Sequence, residues 1–221
     1  MSESFGAFVF YPVIHSLKQP AKGGRSEAMA ANPTDSPRHP YTLAEYFALE
    51  HTGAARYECW DGEIVCMSGG SEQHVRIGGN VYFALRQLLT GRNCEAFTSD
   101  LAVKTSALPP YRYPDISVTC GEATFERIDG IAVLTNPVLI VEVLSRETEK
   151  RDRNEKRLAY QAIPQVMEYL MIAQNSPHIT QFVQSDMWTR SDYGDLNASL
   201  SLPSIECVLN LKDIYVGVDF E

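Results

Sequence analysis

No run of apolar residues in this chain is long enough to span a bilayer, which takes about 20 consecutive apolar positions. An integral helical membrane protein is therefore not expected. Paired-cysteine spacing is also missing. Cys59, Cys66, Cys94, Cys120 and Cys207 are scattered, odd in number and without a Cys-x-x-Cys pair. That argues against a disulfide framework and for reduced thiols in a cytoplasm, each packing as a small hydrophobe. The apolar stretch 5–14 has no basic residue before it and is interrupted by Pro12, unlike a signal peptide. Positive charge is scarce: 19 Lys and Arg stand against 28 Asp and Glu, a net charge of −9. That balance opposes a large non-specific nucleic-acid footprint, which normally needs a basic face, but does not exclude a local basic groove or a structured nucleic-acid target. No internal repeat is present.

With 221 residues and a hydrophobic content of 44%, the chain can form a packed core. Pro, Gly, Ser and Ala dominate residues 18–40 without periodicity, so residues 1–40 are expected to form a poorly ordered arm and residues 41–221 a single folded domain. Met29 offers an alternative translation start just before that domain. Thr42-Leu43-Ala44-Glu45 has the form of a capping box and opens a short helix to Glu50. Segments 56–60 and 63–67 flank Asp61-Gly62, a two-residue hairpin signal. Gly69-Gly70 breaks the second of these strands, and Ser71 can cap a helix on which Val75, Val81, Leu85, Leu88 and Leu89 recur at helical spacing up to Gly91.

Beyond Cys94 the pattern becomes β-rich. Strands are expected at 95–105, at 114–120 headed by Asp115, and at 138–144. A polar segment, 145–157, becomes helical through Ala162 and is closed by Pro164. Further strands are expected at 167–173, as a hairpin at 178–184 and 187–189, and at 204–208, with a final helical turn at 211–215. The sum is an α/β domain with a mixed sheet and flanking helices.

Glu142 lies inside the run Val138-Leu139-Ile140-Val141-Glu142-Val143-Leu144, whose other members are all strand formers of a buried type. An ionised carboxylate there needs compensation, and a cation supplies it most simply. Asp115 heads another apolar run. If the two strands are neighbours, their carboxylates can share one hard cation, Mg²⁺ or Mn²⁺, of the kind that activates water and stabilises a transferring phosphoryl group. The rival readings are a Pro-Asp turn for Asp115 and, for Glu142, a buried ion pair with Arg112 or Arg157. Strand alternation puts Leu144 on the Glu142 face, where it cannot serve as a cation. Lys156 is the next candidate: a helix that doubles back from the strand end can aim it at Glu142, with Tyr160 one turn on along the same face. His74 can contact phosphate or steer water, or simply cap its helix. Asp100 can support the site or pair with a local cation. Lys104 is a second lysine candidate, and Asp152 reads as the N-cap of the Lys156 helix. Arg146, Lys150, Arg151, Arg153 and Arg157 cluster nearby and can hold a nucleic-acid backbone, or form a salt-bridged loop with Glu147, Glu149 and Glu155.

These stretches occur together in one order. They are Tyr57-Glu58-Cys59-Trp60-Asp61-Gly62-Glu63-Ile64, the 71–80 helix start with His74, Thr98-Ser99-Asp100-Leu101, Arg112-Tyr113-Pro114-Asp115, and Val141-Glu142-Val143-Leu144-Ser145. Asp152 and Lys156 follow, then Pro164 and Glu168-Tyr169. From about Tyr41 to Val218 the chain resembles the Uma2 family, also called DUF820, of restriction-endonuclease-like proteins in the PD-(D/E)XK nuclease superfamily. The resemblance implies a nuclease-like mixed β-sheet core in which Asp115 and Glu142 bind a divalent metal and Glu58 completes the acidic shell through water. In that superfamily the catalytic lysine usually lies two residues past the second acid; Leu144 departs from this, and Lys156 matches a known displacement of the lysine to the next helix. The implied activity is Mg²⁺-dependent cleavage of DNA. The alternative is a nuclease-fold protein that binds nucleic acid or protein without cutting efficiently. Self-association as a homodimer fits an open sheet with free edges.

Overall fold

In the computed structural model, residues 40–53, 56–67, 70–146 and 148–220 are described. The expected arm, apart from Pro40, lies outside them. The run around Glu142 forms β9 (Leu139–Leu144), buried along its whole length. It pairs in parallel with β10 (Glu168–Ala173) and antiparallel with β6 (Ile116–Cys120). Completing the six-stranded sheet are β3 (Cys94–Thr98) beside β6, and β11 (Ile179–Gln184) and β12 (Trp188–Tyr193) beyond β10. Alternation divides β9 between two cores. Leu139, Val141 and Val143 join the cluster containing Ile77, Val81 and Leu85, while Ile140 and Leu144 join the one containing Tyr160, Val166 and Tyr169. Glu142 shares the second face by the same period of two.

Local chemistry accounts for the helices and turns. Thr42 and Glu45 form the reciprocal capping box that starts α1 (Leu43–Glu50). Ser71 Oγ accepts the His74 N–H at the head of α2 (Glu72–Leu88), whose Ile77, Val81 and Leu85 form its buried stripe. Val75 falls off that stripe and is 63% exposed. Asp61 and Gly62, with φ of 48° and 81°, join β1 (Tyr57–Trp60) to β2 (Glu63–Cys66).

Several segments differ from the sequence expectation. Residues 95–105 are not one strand. The chain turns at Ser99-Asp100 into β4 (Ala102–Lys104), which belongs to a separate four-stranded sheet with β5 (Tyr111–Arg112), β7 (Phe125–Ile128) and β8 (Ile131–Leu134). Arg56 pins that turn by donating to the Ser99 carbonyl and pairing with Asp100. Phe97, Leu101 and Val103 keep the same period of two on either side of the polar run Thr98-Ser99-Asp100, so periodicity alone does not separate the two strands. The β7–β8 hairpin is built on Asp129-Gly130, with φ of 49° and 83°, the same chemistry as Asp61-Gly62. Near the C-terminus, β13 (Ser199–Leu202) and β14 (Cys207–Asn210) form a hairpin that precedes α5 (Leu211–Ile214). The strand expected at 204–208 begins later because Glu206 takes a positive φ of 53° in the turn.

The expectation of five reduced thiols also fails. Cys94 and Cys120 face each other across the β3–β6 register and form a disulfide, whereas Cys59 and Cys207 are buried as thiols. Register brings together two cysteines that sequence spacing does not associate. No helix among the described residues is long and apolar enough to cross a membrane.

Gly62 combines a positive φ with crowding: a Cβ placed on it would lie 2.7 Å from Pro40 Cβ. Gly62→Ala is expected to lower unfolding stability by about 1–2 kcal/mol. Urea denaturation should show a lower midpoint with an unchanged slope.

Candidate carboxylate–lysine centre

Parallel pairing of β9 with β10 requires a crossover connection, and here that connection is helical and returns over the sheet. It consists of α3 (Glu149–Arg151), a five-residue π-helical turn (Asp152–Lys156) and α4 (Arg157–Gln161). The first and last residues of the π turn, Asp152 and Lys156, are 1% and 2% exposed. The Tyr169 hydroxyl, from β10, donates to the Asp152 carbonyl at 3.0 Å and ties the turn to the sheet. Wide turns of this kind are rare and often occur at functional sites.

Lys156 reaches back to β9. Its ammonium donates to Glu142 Oε1 at 3.1 Å and also lies 3.2 Å from Glu58 Oε1 and 3.5 Å from Asp152 Oδ1. Tyr160, one turn further along, donates its hydroxyl to the same Glu142 oxygen at 3.1 Å. Glu58 is held from two sides: Oε2 accepts the Trp60 indole N–H at 3.0 Å and Oε1 the Tyr113 backbone N–H at 3.3 Å. Asp115 lies immediately before β6, whose Ile116 pairs with Val141, so it emerges beside the Glu142 end of β9. Its Oδ2 accepts the Val143 N–H at 2.6 Å and lies 3.3 Å from His74 Nε2.

Thus Glu58, Glu142, Lys156 and Tyr160 meet directly, with the Asp115–His74 pair at the adjoining strand end. Other candidates are engaged elsewhere. Asp100 is exposed and pairs with Arg56 at 2.9 Å, and Lys104 pairs with Glu126 at 2.6 Å. Neither arginine proposed as a partner for Glu142 contacts it. Arg112 donates to the carbonyls of Leu108, Pro109 and Tyr111 and stacks 4.0 Å over Trp60, while Arg157 donates to the Arg153 carbonyl and to Gln161. Of the nearby basic residues, Arg151 pairs with Glu63 and Glu155, and Arg153 with Glu149. Arg146 and Lys150 are exposed and have no ion pair among the described residues.

Asp152 is not an N-cap. The helical segment starts three residues earlier, so Asp152 falls within it and turns inward. Its spacing from Lys156 and Tyr160 places all three on one helix face, the signal that could have identified it. Trp60 and Tyr113 were likewise not anticipated as supports for Glu58; nothing in their spacing marks them.

Electrostatically the centre holds more negative charge than its own cation can balance. Three carboxylates contact one ammonium, with Asp115 close by. Burial pushes the Glu142 carboxyl well above the usual range; Lys156 pulls it down, while Asp152, Asp115 and Glu58 push it further up. For Lys156, burial opposes the charge, but the surrounding carboxylates hold its pKa well above the ordinary lysine value. Burial also disfavours a charged His74, yet its contact with Asp115 raises its pKa overall. This surplus of hard, negatively charged oxygen fits a divalent cation of the Mg²⁺ class, which binds through one or two carboxylates and keeps several waters. Asp115 and Glu142, on neighbouring strands, would be the residues to hold it. Among the described residues no group of three or more His, Cys, Asp or Glu side chains is placed to hold a metal ion, so a cation here would rest on two carboxylates and water.

The profile of the Uma2 family, described as "Putative restriction endonuclease", matches residues 43–212. The chain belongs to the Uma2 family. The match takes in every residue of the carboxylate–lysine centre. Two relatives come from Synechocystis sp. (strain PCC 6803), and both bear the description uncharacterized protein. One, slr1290, is 32% identical over 199 residues, covering 87% of this chain and 100% of the relative. The other, sll1609, is 37% identical over 133 residues, covering 60% of this chain and 75% of the relative. A crystal structure from Anabaena variabilis, described as a putative nuclease belonging to DUF820, superposes with a TM-score of 0.63 at 19% identity, over 80% of this chain and 98% of that one. The mixed α/β fold expected from the Uma2 resemblance is therefore shared with a solved member of that group.

The raised Glu142 carboxyl has a measurable consequence. A carboxyl raised above its unfolded value supports folding fully only below that value, and the support is lost as pH rises through the folded pKa. Glu142→Gln removes this loss, and Glu58 and Asp152 still neutralise Lys156. In metal-free buffer at about pH 8 the variant should melt above wild type, each kcal/mol corresponding to about 2–4 °C for a chain of this size. The gap should close towards about pH 4.3, the unfolded glutamate value. Thermal melts across pH test this; a gap that does not change with pH contradicts it.

Proposed function

We propose that this Uma2-family protein is a Mg²⁺-dependent endonuclease that hydrolyses DNA phosphodiester bonds, with its catalytic unit in residues 41–221. The observation that carries the proposal is the buried Lys156 ammonium at 3.1 Å from Glu142 Oε1, because it puts a fixed cation beside the carboxylates despite Leu144. In this reading Asp115 and Glu142 hold the metal, and Glu58 supports them and draws Lys156 into place. When bound, the divalent cation supplies a water of lowered pKa and stabilises charge on the phosphoryl group. Lys156 orients the attacking water or neutralises charge on the phosphate oxygens as the new P–O bond forms and the bond to the leaving sugar oxygen breaks. Tyr160 fixes the Glu142 carboxylate through its hydroxyl. His74 holds Asp115 and, in this reading, contacts phosphate. Two copies related by symmetry would present two such sites to opposite DNA strands, so a homodimer is the assembly this reading favours.

A second reading is a nuclease-fold protein that binds nucleic acid or a partner protein without cutting. The net charge of −9, and the pairing of Arg151 and Arg153 with glutamates, favour it.

A plasmid-nicking assay with Mg²⁺ or Mn²⁺ separates the two. Wild type should nick, and Asp115→Ala, Glu142→Ala and Lys156→Ala should each lose about 10²–10³-fold in rate, as expected for removing a group that stabilises transition-state charge. Calorimetric titration with Mn²⁺ should give binding heat for wild type and none for the two carboxylate variants. Equal heats for all three would sink the metal assignment.

A further inference from the structure

The three carboxylates around Lys156 are not equivalent. Glu142 Oε1 accepts from Lys156 and Tyr160. Both Glu58 oxygens accept hydrogen bonds, from Trp60 and from the Tyr113 backbone. Among the described residues neither buried Asp152 oxygen has a hydrogen-bond partner of full geometry; the Thr148 side chain acts on the carboxylate from the preceding turn, and the nearest cation is the Lys156 ammonium, 3.5 Å from Oδ1. A buried acceptor left unfilled is costly and uncommon. Here it is held inward by a π turn that Tyr169 secures from the sheet.

The cation within reach of Asp152 is the ammonium on the flexible Lys156 stem. A divalent cation at Glu142 would repel that ammonium at short range. Each Glu58 oxygen already accepts from a fixed donor, Trp60 or the Tyr113 backbone, in addition to the Lys156 contact, whereas the Asp152 oxygens retain more of their acceptor capacity. We infer that Asp152 is a positioning residue that takes over the Lys156 ammonium when a divalent cation engages Glu142, keeping the lysine charged and fixed beside the reacting phosphate. The inference rests on the nuclease reading for its metal-bound half. Asp152 acts through Lys156; it is neither a metal ligand nor a group that touches substrate.

The test uses the full-length protein with labelled lysine side chains, the Lys156 amino resonance being identified by its loss in Lys156→Arg. In wild type, Mg²⁺ should shift this resonance while its protons continue to exchange slowly. Asp152→Asn keeps the side-chain shape and removes the charge. It should speed that exchange several-fold in Mg²⁺, lower kcat for plasmid nicking about 10–100-fold with KM little changed, and leave Mg²⁺ binding heat close to wild type. Tyr169→Phe, which keeps the carboxylate but frees the turn, should change exchange in the same direction and by less. A purely structural role would lower the melting temperature without this exchange signature. Unchanged Lys156 exchange in Asp152→Asn with Mg²⁺ bound overturns the inference, and so does a large loss of Mg²⁺ affinity, which would make Asp152 a ligand. Absence of both a Mg²⁺ shift and binding heat in wild type is a different failure: it overturns the nuclease reading and the metal-bound half of the inference with it.

Discussion

A lysine ammonium buried against the glutamate of a central strand links three separate parts of this chain. Glu142 comes from β9, Glu58 from the first hairpin, and Lys156 from the crossover that returns over the sheet. Each part is placed by ordinary folding forces. Apolar neighbours bury β9 on both faces, a two-residue Asp-Gly turn aligns the hairpin, and parallel pairing with β10 compels a crossover. What those forces deliver is an arrangement that hydrophobic burial alone would not favour: several carboxylates and one ammonium with little access to water. Replacing such a cluster by apolar residues commonly stabilises a protein, so its presence argues for a use other than stability.

The charge imbalance has a direction. One ammonium cannot neutralise three contacting carboxylates with a fourth close by, and burial makes the surplus more costly. Protonation of Glu142 relieves it in the absence of metal; a hard divalent cation relieves it while leaving the carboxylates ionised. The same surplus bears on how an acidic protein meets a polyanion. Arg151 and Arg153 are tied to glutamates, whereas Arg146 and Lys150, both exposed near the C-terminal end of β9, have no ion pair among the described residues.

Much of this was legible in the residues, for identifiable reasons. Glu142 is conspicuous because a charge interrupts a buried strand pattern, and Asp115 because it heads a second one. Lys156 followed from requiring the next helix to double back. The first hairpin and both long helices were marked by turn and cap residues that act locally. Other features depend on tertiary register, which one sequence does not display. The Cys94–Cys120 pair exists only because β3 and β6 align those positions. The turn at Ser99-Asp100 lies between apolar positions, Phe97, Leu101 and Val103, that keep one period of two, and it is held by Arg56 from a distant part of the chain. Asp152 looked like a cap because aspartate favours caps, but the π turn carries it into the interior, and no propensity rule anticipates a π turn.

The central claim is that Asp115 and Glu142 form a cation site to which Lys156 is fitted. Anomalous diffraction from crystals soaked in Mn²⁺ tests it most directly. The account predicts one strong peak within about 2.0–2.3 Å of a carboxylate oxygen from each of Asp115 and Glu142, with water completing the shell and Lys156 Nζ still among the surrounding carboxylates. An absent peak at saturating Mn²⁺, with Lys156 remaining the sole cation on Glu142, would contradict it.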